Sequence, residues 1–277
     1  MICVTGDIHH KGLNSDDLMF CRGSELDSGL IMAEIARDHG LSLTLFVTGR
    51  CAEEEPQKLR RLSQFSNVEI GGHNYFGFKP RRPFSIWERL TGLKNGPRIF
   101  QEWEVSKTLN LLGSTCGDTV VSWRDHGYRH DRNTASILAK KGIRFWSDAL
   151  SKDGAQPFEQ NGLWTVPINT LPDHDYVFHG DRTKDSVDPN VLLNTAFEIG
   201  PMNSIQWREL VIRQVGKLEN KNIDNLATLL CHPACMEVFD NFQTFEWLCQ
   251  RLPVSRSIKM ADIERLSKTN SIVGAIE

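Results

Sequence analysis

The chain has 277 residues and a formal net charge of -3, which gives no global attraction to nucleic acid or an anionic membrane. Its hydrophobic content of 40% and charged content of 24% are those of a soluble globular protein long enough to bury a large core. No run approaches the ~18 apolar residues of a membrane span. The start of the chain shows no basic segment leading into an apolar export core, so the expected location is cytoplasmic.

Ile2 to Ile8 is an apolar run that ends at Asp7, His9 and His10, the pattern of a buried strand delivering polar residues to its C-terminal end. Asp7 and His9 are two apart and leave the same face of an extended backbone. A carboxylate and an imidazole on one face suit a metal or acid/base site; the plainer alternative is a strand running into a solvated turn. Glu25 to Asp38 carries a helical stripe closed by Gly40, Leu41 to Val47 reads as a buried strand, Pro56 to Phe65 as a short charged helix, and Val68 to Ile70 as a strand reaching Gly71-Gly72-His73. This alternation predicts parallel β/α units.

Residues 74–97 break the rhythm with Phe76, Phe78, Lys79, Arg81, Arg82, Phe84, Trp87 and Arg89 among prolines and glycines. The expectation is an inserted loop or short helix, suited to an anionic or sugar-bearing ligand or else a solvated surface arm. Further on, the pattern predicts a helix from Gln101 to Leu112, a strand from Thr119 to Trp123, a helix from Asn133 to Lys141, and strands over Ile143 to Trp146 and Leu163 to Ile168. Leu171 to Asn190 is polar and without period, carrying His174 and His179. A helix from Ser204 to Leu218, a strand from Ala227 to Cys231, a helix from Phe242 to Leu252 and a turn with a helix around Met260 to Leu266 complete the chain. With no linker or repeat, one domain over 1–277 with an arm at 74–97 is expected.

The seven cysteines (Cys3, Cys21, Cys51, Cys116, Cys231, Cys235 and Cys249) have no regular spacing and read as reduced thiols. Cys231 and Cys235 flank His232, but a lone C-x-x-x-C has no second pair at finger spacing and reads as core packing. Strand after strand ends in a residue of catalytic type: Asp7 and His9, His73, Arg124, Asp148, His232. A fold that converges its strand ends gathers them in one place.

Five segments, in order over about residues 2 to 235, resemble the motifs of the polysaccharide deacetylases of the NodB-homology type, carbohydrate esterase family four. They are Thr5-Gly6-Asp7-Ile8-His9, Glu69-Ile70-Gly71-Gly72-His73-Asn74-Tyr75-Phe76-Gly77, Trp123-Arg124, Gly142 to Asp148, and Leu229-Leu230-Cys231-His232-Pro233. The resemblance implies an α/β fold, a distorted (β/α)7 barrel, and a metal-dependent hydrolase that removes an N-acetyl or other N-acyl group from a sugar or glycan precursor. It makes Asp7 the general base, Arg124 the group that orients it, His232 the acid, Asp148 the carboxylate tuning His232, and His73 a metal ligand. Trp146, Tyr75, Arg82 and His126 are the expected substrate contacts. Two departures stand out. The metal-binding aspartate corresponds to Ile8 if the acids are adjacent or to His9 in an Asp-x-Asp form, His9 being preferred because it leaves the same face as Asp7, and Gly77 takes the place of the second histidine. Either Asp7, His9 or His10 and His73 form a substitute ligand set, or His126, His130, His174 or His179 completes it, or no metal binds. A histidine-rich set favours zinc. The other readings are a metal-free carbohydrate-binding relative and a hydrolase of a non-sugar C–N amide bond. The expected partner is a carbohydrate or N-acylated small molecule, with no nucleic acid and no membrane span.

Overall fold

Ile2–Ile8 forms β1, and all seven of its residues are buried. It lies between two parallel neighbours, β2 (Leu43–Val47) and β8 (Ala227–Leu230), with Val4 opposite Leu43 on one side and Leu229 on the other. A strand paired on both edges and covered on both faces has no wet side, which is why its sequence runs apolar without alternation. The computed structural model describes residues 1–10, 20–77, 81–160, 162–174, 176–178, 197, 200–222 and 225–264, the side chains of 81–84 excepted.

The sheet has the order β6-β7-β5-β4-β3-β2-β1-β8, with β3 at Val68–Gly72, β4 at Ser122–Trp123, β5 at Phe145–Trp146, β6 at Phe158–Gln160 and β7 at Leu163–Thr165. Seven strands pair in parallel and β6 alone runs antiparallel, against β7. The sheet curls into a half-barrel, and the segment after β7 brings its two ends together. The Asn169 side chain donates to the Leu226 carbonyl at 2.9 Å and accepts from the Thr228 N–H at 2.8 Å, doing for β8 what a neighbouring strand would. The expected α/β architecture, a distorted barrel of seven parallel strands, is the one observed.

Strands β4 and β5 are only two residues long, shorter than the sequence predicts. β3 meets β4 at the single pair Gly72–Trp123, and a Cβ on Gly72 would lie 2.4 Å from the Trp123 ring. The indole packs over Gly72, a position with no room for a side chain. β6 escapes sequence detection because all three of its side chains are exposed, leaving no alternation to read.

Helices cover the outside. α1 (Glu25–Asp38) buries Leu26, Leu30, Met32, Ala33 and Ala36, and its first turn is closed by Asp27, whose carboxylate accepts from the Ser24 N–H at 2.9 Å. α2 (Gly49–Glu54) and α3 (Pro56–Ser63) follow β2. The 74–97 arm contains a helix, α4 (Arg81–Thr91), and leads into α5 (Arg98–Cys116). The arm is tied down by Asn95, which donates to the Arg129 carbonyl at 2.6 Å, and by a Glu88–Arg129 ion pair. α6 (Thr134–Lys140), α7 (Ser204–Lys221), α8 (Pro233–Asp240) and α9 (Gln243–Cys249) complete the described helices, and the predicted C-terminal helix is here a 3-10 turn at Met260–Asp262, with 265–277 outside the described residues. Among the described residues no helix is long and apolar enough to cross a membrane. All seven cysteines are free thiols.

Candidate active site

Asp7, at the C-terminal end of β1, is 3% exposed, and its Oδ1 accepts from Arg124 Nη1 at 2.9 Å. Arg124 is itself fully buried and directs three further donors to Thr5 Oγ1, Ser147 Oγ and the Ser147 carbonyl, at 2.8–3.0 Å. Its guanidinium also lies 4.4 Å from the centre of the Phe46 ring. Burial alone would raise the Asp7 carboxyl; the Arg124 charge, together with the neighbouring His73, His232 and His9, overrides it and holds the group well below the usual carboxylate range. The result is a buried, ionised carboxylate. Its second oxygen, Oδ2, faces His232 Nε2 at 3.6 Å and His73 Nε2 at 3.9 Å.

The histidines carry the strongest chemical constraint. His73 Nδ1 lies 2.8 Å from the Arg124 carbonyl. A carbonyl only accepts, so the ring proton is on Nδ1 and Nε2 is a lone pair. Burial pushes the His73 imidazole down to about 3, so it is neutral. His9 Nδ1 lies 3.0 Å from Glu25 Oε2, and the same oxygen accepts the His9 backbone N–H at 2.7 Å. A carboxylate too only accepts, so His9 carries a proton on Nδ1 and turns Nε2 toward His73. The two Nε2 atoms are 3.2 Å apart. Two ring nitrogens at that distance share a positive centre, a proton or a cation, between or beside them. His126 brings a third imidazole, its ring centre 4.9 Å from that of His9 and 5.5 Å from that of His73. Burial, then the neighbouring His9 and His73, hold His126 well below its ordinary value. The three residues each offer a ring nitrogen, all within 4.8 Å of one another. One proton can serve only two of three such donors, whereas a divalent cation serves all three, so the donor set fits a metal.

His126 reaches this position from the 3-10 turn His126–Tyr128 after β4. Its N–H donates to Asn74 Oδ1 at 2.7 Å, while the Asn74 amide donates to Asp125 Oδ1 at 3.0 Å. Asp148 accepts the Asp125 N–H at 2.7 Å and pairs with His130 at 3.3 Å. Burial, then the neighbouring Asp148 carboxylate, raises the Asp125 carboxyl well above its usual range. Asp148 therefore builds the loop that carries His126, and this corrects its expected place beside His232. The carboxylate there is Asp173, whose Oδ1 lies 2.6 Å from His232 Nδ1 and whose Oδ2 accepts the His232 N–H at 2.6 Å. The sheet order explains the exchange. β5, which ends near Asp148, is separated from β8 by four strands, whereas Asp173 follows the Asn169 closure alongside β8. Burial would lower His232, but the Asp173 carboxylate outweighs it and pushes the imidazole up to about 9.

The other expected site residues divide. His10 points the opposite way from His9 and stands outside the three-histidine group; burial and then Arg50 push it down to about 4. The Tyr75 hydroxyl donates to Glu53 on α2, and its ring packs under Lys107 and beside Trp103 on α5, so it serves the α2–α5 contact. Trp146 packs edge-on against His130 at 4.9 Å. Arg82 and His179 lie outside the described side chains. At Gly77, an added Cβ would stand 3.0 Å from His9 Cδ2 and 3.6 Å from His9 Cβ. The corner where a histidine at 77 would begin is filled by the His9 ring, so the two departures from the motif pattern compensate one another in space.

Sequence reasoning missed two residues. Glu25 reads as an ordinary acidic first residue of a helix, and Asp173 sits in a segment without period, where only its neighbour His174 draws notice.

No family model matches the sequence, and no curated protein does. Solved structures do. A protein of Mycobacterium smegmatis assigned as a polysaccharide deacetylase superposes with a TM-score of 0.66 at 14% identity, over 97% of this chain and 91% of that one. One from Pseudomonas aeruginosa PAO1, similarly assigned, gives 0.65 at 13% identity over 96% and 90%. The Puue allantoinase gives 0.61 at 12% identity over 96% and 89%. The chain has the fold of the polysaccharide deacetylases. At these identities the likeness is one of fold.

Proposed function

We propose that the chain is a metal-dependent hydrolase that removes an N-acyl group, in the first instance N-acetyl, from a sugar or glycan precursor. One observation carries the reading. The Nε2 atoms of His9 and His73 meet at 3.2 Å and His126 offers a third ring nitrogen, beside a buried ionised aspartate and a histidine pushed up to about 9. A binding protein has no use for a base and an acid of such opposed character on one site.

His9, His73 and His126 would hold the cation, and three imidazoles favour zinc over magnesium or calcium. When bound, the cation polarises the amide carbonyl and acidifies water. Asp7, kept ionised and oriented by Arg124, accepts a proton from the attacking water through Oδ2. His232, kept charged by Asp173, gives its Nε2 proton to the amide nitrogen, which leaves as an amine once the C–N bond breaks. The proton gained by Asp7 then passes to His232, whose Nε2 lies 3.6 Å from Oδ2, and both groups regain their starting states before the next turnover. The test is hydrolysis of N-acetylated sugars by zinc-loaded protein, with cyclic amides in parallel. Amine release from a sugar supports the reading; turnover of a cyclic amide alone assigns the site to a non-sugar C–N bond, and no turnover of any acyl amide contradicts it.

Glu25 fixes His9 as a ligand by holding both its backbone N–H and its Nδ1 proton. Glu25→Gln keeps the volume and loses the charge, and zinc affinity measured by competition with a chelator is expected to fall by about 10–100-fold. An unchanged affinity would show that His9 is oriented by packing alone.

A further inference from the structure

A second group of metal-type donors lies on the opposite edge of the His232 ring from Asp7. Asp173, His232 and Cys235 each offer one ligand atom, all within 4.8 Å of one another. His174 Nδ1 lies 3.4 Å from Cys235 Sγ. The chain makes this grouping locally. His232 is the residue before α8 and Cys235 is in its first turn, three positions on, so the two share a face. His174 directly follows Asp173. Asp173 is fully buried and Cys235 is 1% exposed, so this is no solvated patch of acids. A carboxylate, two imidazoles and a thiol are the donor types of a four-coordinate zinc site.

We propose that Asp173, His174, His232 and Cys235 form a second, thiolate-bearing site for a borderline-soft divalent cation, and that filling it withdraws His232 from proton donation. Binding releases two protons to solvent, one from His232 Nδ1 and one from the Cys235 thiol, and the cation takes their place. The short Asp173–His232 hydrogen bond opens to admit the ion and is replaced by metal–ligand bonds. His232 then keeps a proton only on Nε2 of a neutral ring, a far weaker acid than the imidazolium held by Asp173. The expected packing role of Cys235 is thus extended: both Cys231 and Cys235 lie in the hydrophobic core, and of the two Cys235 has its sulfur among these donors.

The inhibitory consequence rests on the reading of His232 as the acid; the existence of the site does not. Cobalt(II) titration of His73→Ala protein removes the three-histidine site from view. The expected result is a near-ultraviolet thiolate-to-cobalt charge-transfer band that saturates at one equivalent, is weakened in His174→Ala and is lost in Cys235→Ser. No thiolate band, or a band that survives Cys235→Ser, overturns the site. In hydrolytically active wild-type protein a second zinc equivalent should abolish turnover, with Cys235→Ser resistant. Thiolate ligation without inhibition overturns the regulatory role. Protein inactive at every loading contradicts the proposed hydrolase instead, and the cobalt spectrum still decides the site.

Discussion

Asp7→Asn is expected to lower amide hydrolysis by about 10²–10⁴-fold, the contribution of a positioned general base. The asparagine keeps the shape and a hydrogen bond to Arg124, but it has no lone pair basic enough to take a proton from water. The same change removes the counter-charge of a guanidinium that is 0% exposed. Breaking one side of a buried pair costs about 3–5 kcal/mol, so the variant should also melt at lower temperature. The two effects separate experimentally. At a temperature where circular dichroism shows the variant fully folded, the rate loss should persist. Full activity in folded Asp7→Asn would remove the aspartate from the chemistry and leave it a structural partner of Arg124.

The second large effect belongs to the pair His232 and Asp173. His232→Ala should cost about 10²–10⁴-fold in turnover, most severely for substrates whose amine leaves poorly. Asp173→Asn is the more revealing change. In the folded, metal-free protein the His232 imidazole is raised from 6.5 to about 9. Its contribution to stability is therefore fully present below about pH 6.5 and is lost as pH rises through about 9. With Asp173→Asn the charge that raises it is gone, and burial then pushes the group down. An NMR titration of the imidazole should find the wild-type midpoint on the alkaline side and the variant midpoint at or below the ordinary 6.5. Coincident midpoints would mean that Asp173 does not set the charge of His232. Asp148→Asn should leave that midpoint in place, because Asp148 pairs with His130 and the Asp125 N–H.

What the sequence makes legible follows from the physics of parallel strands. β1, β2 and β8 are buried on both faces and announce themselves as apolar runs; their ends deliver Asp7 and His232 where expected, and the ends of β3 and β4 deliver His73 and Arg124. The period of two separates His9 from Ile8, which is 0% exposed, and turns His10 away from the cluster. The resemblance to deacetylase motifs pointed to the fold that the solved structures share.

The rest depends on contacts between segments distant in the chain. Glu25 and His9 are joined across 16 positions, and Asp173 and His232 across 59; neither carboxylate sits at a strand end. Asp148 does sit at one, which is why the motif resemblance pairs it with His232 in place of Asp173. Gly77 read alone signals a lost ligand. Only in three dimensions does the His9 ring fill that corner and His126 supply the third nitrogen.

The most direct test of the central claim is zinc stoichiometry and affinity in a Cys235→Ser background, with His9→Ala, His73→Ala and His126→Ala compared one at a time. The three-histidine account predicts one tightly bound ion per chain, lost or strongly weakened in each variant. No bound ion after reconstitution, or an undiminished affinity when any one of the three is removed, would contradict it.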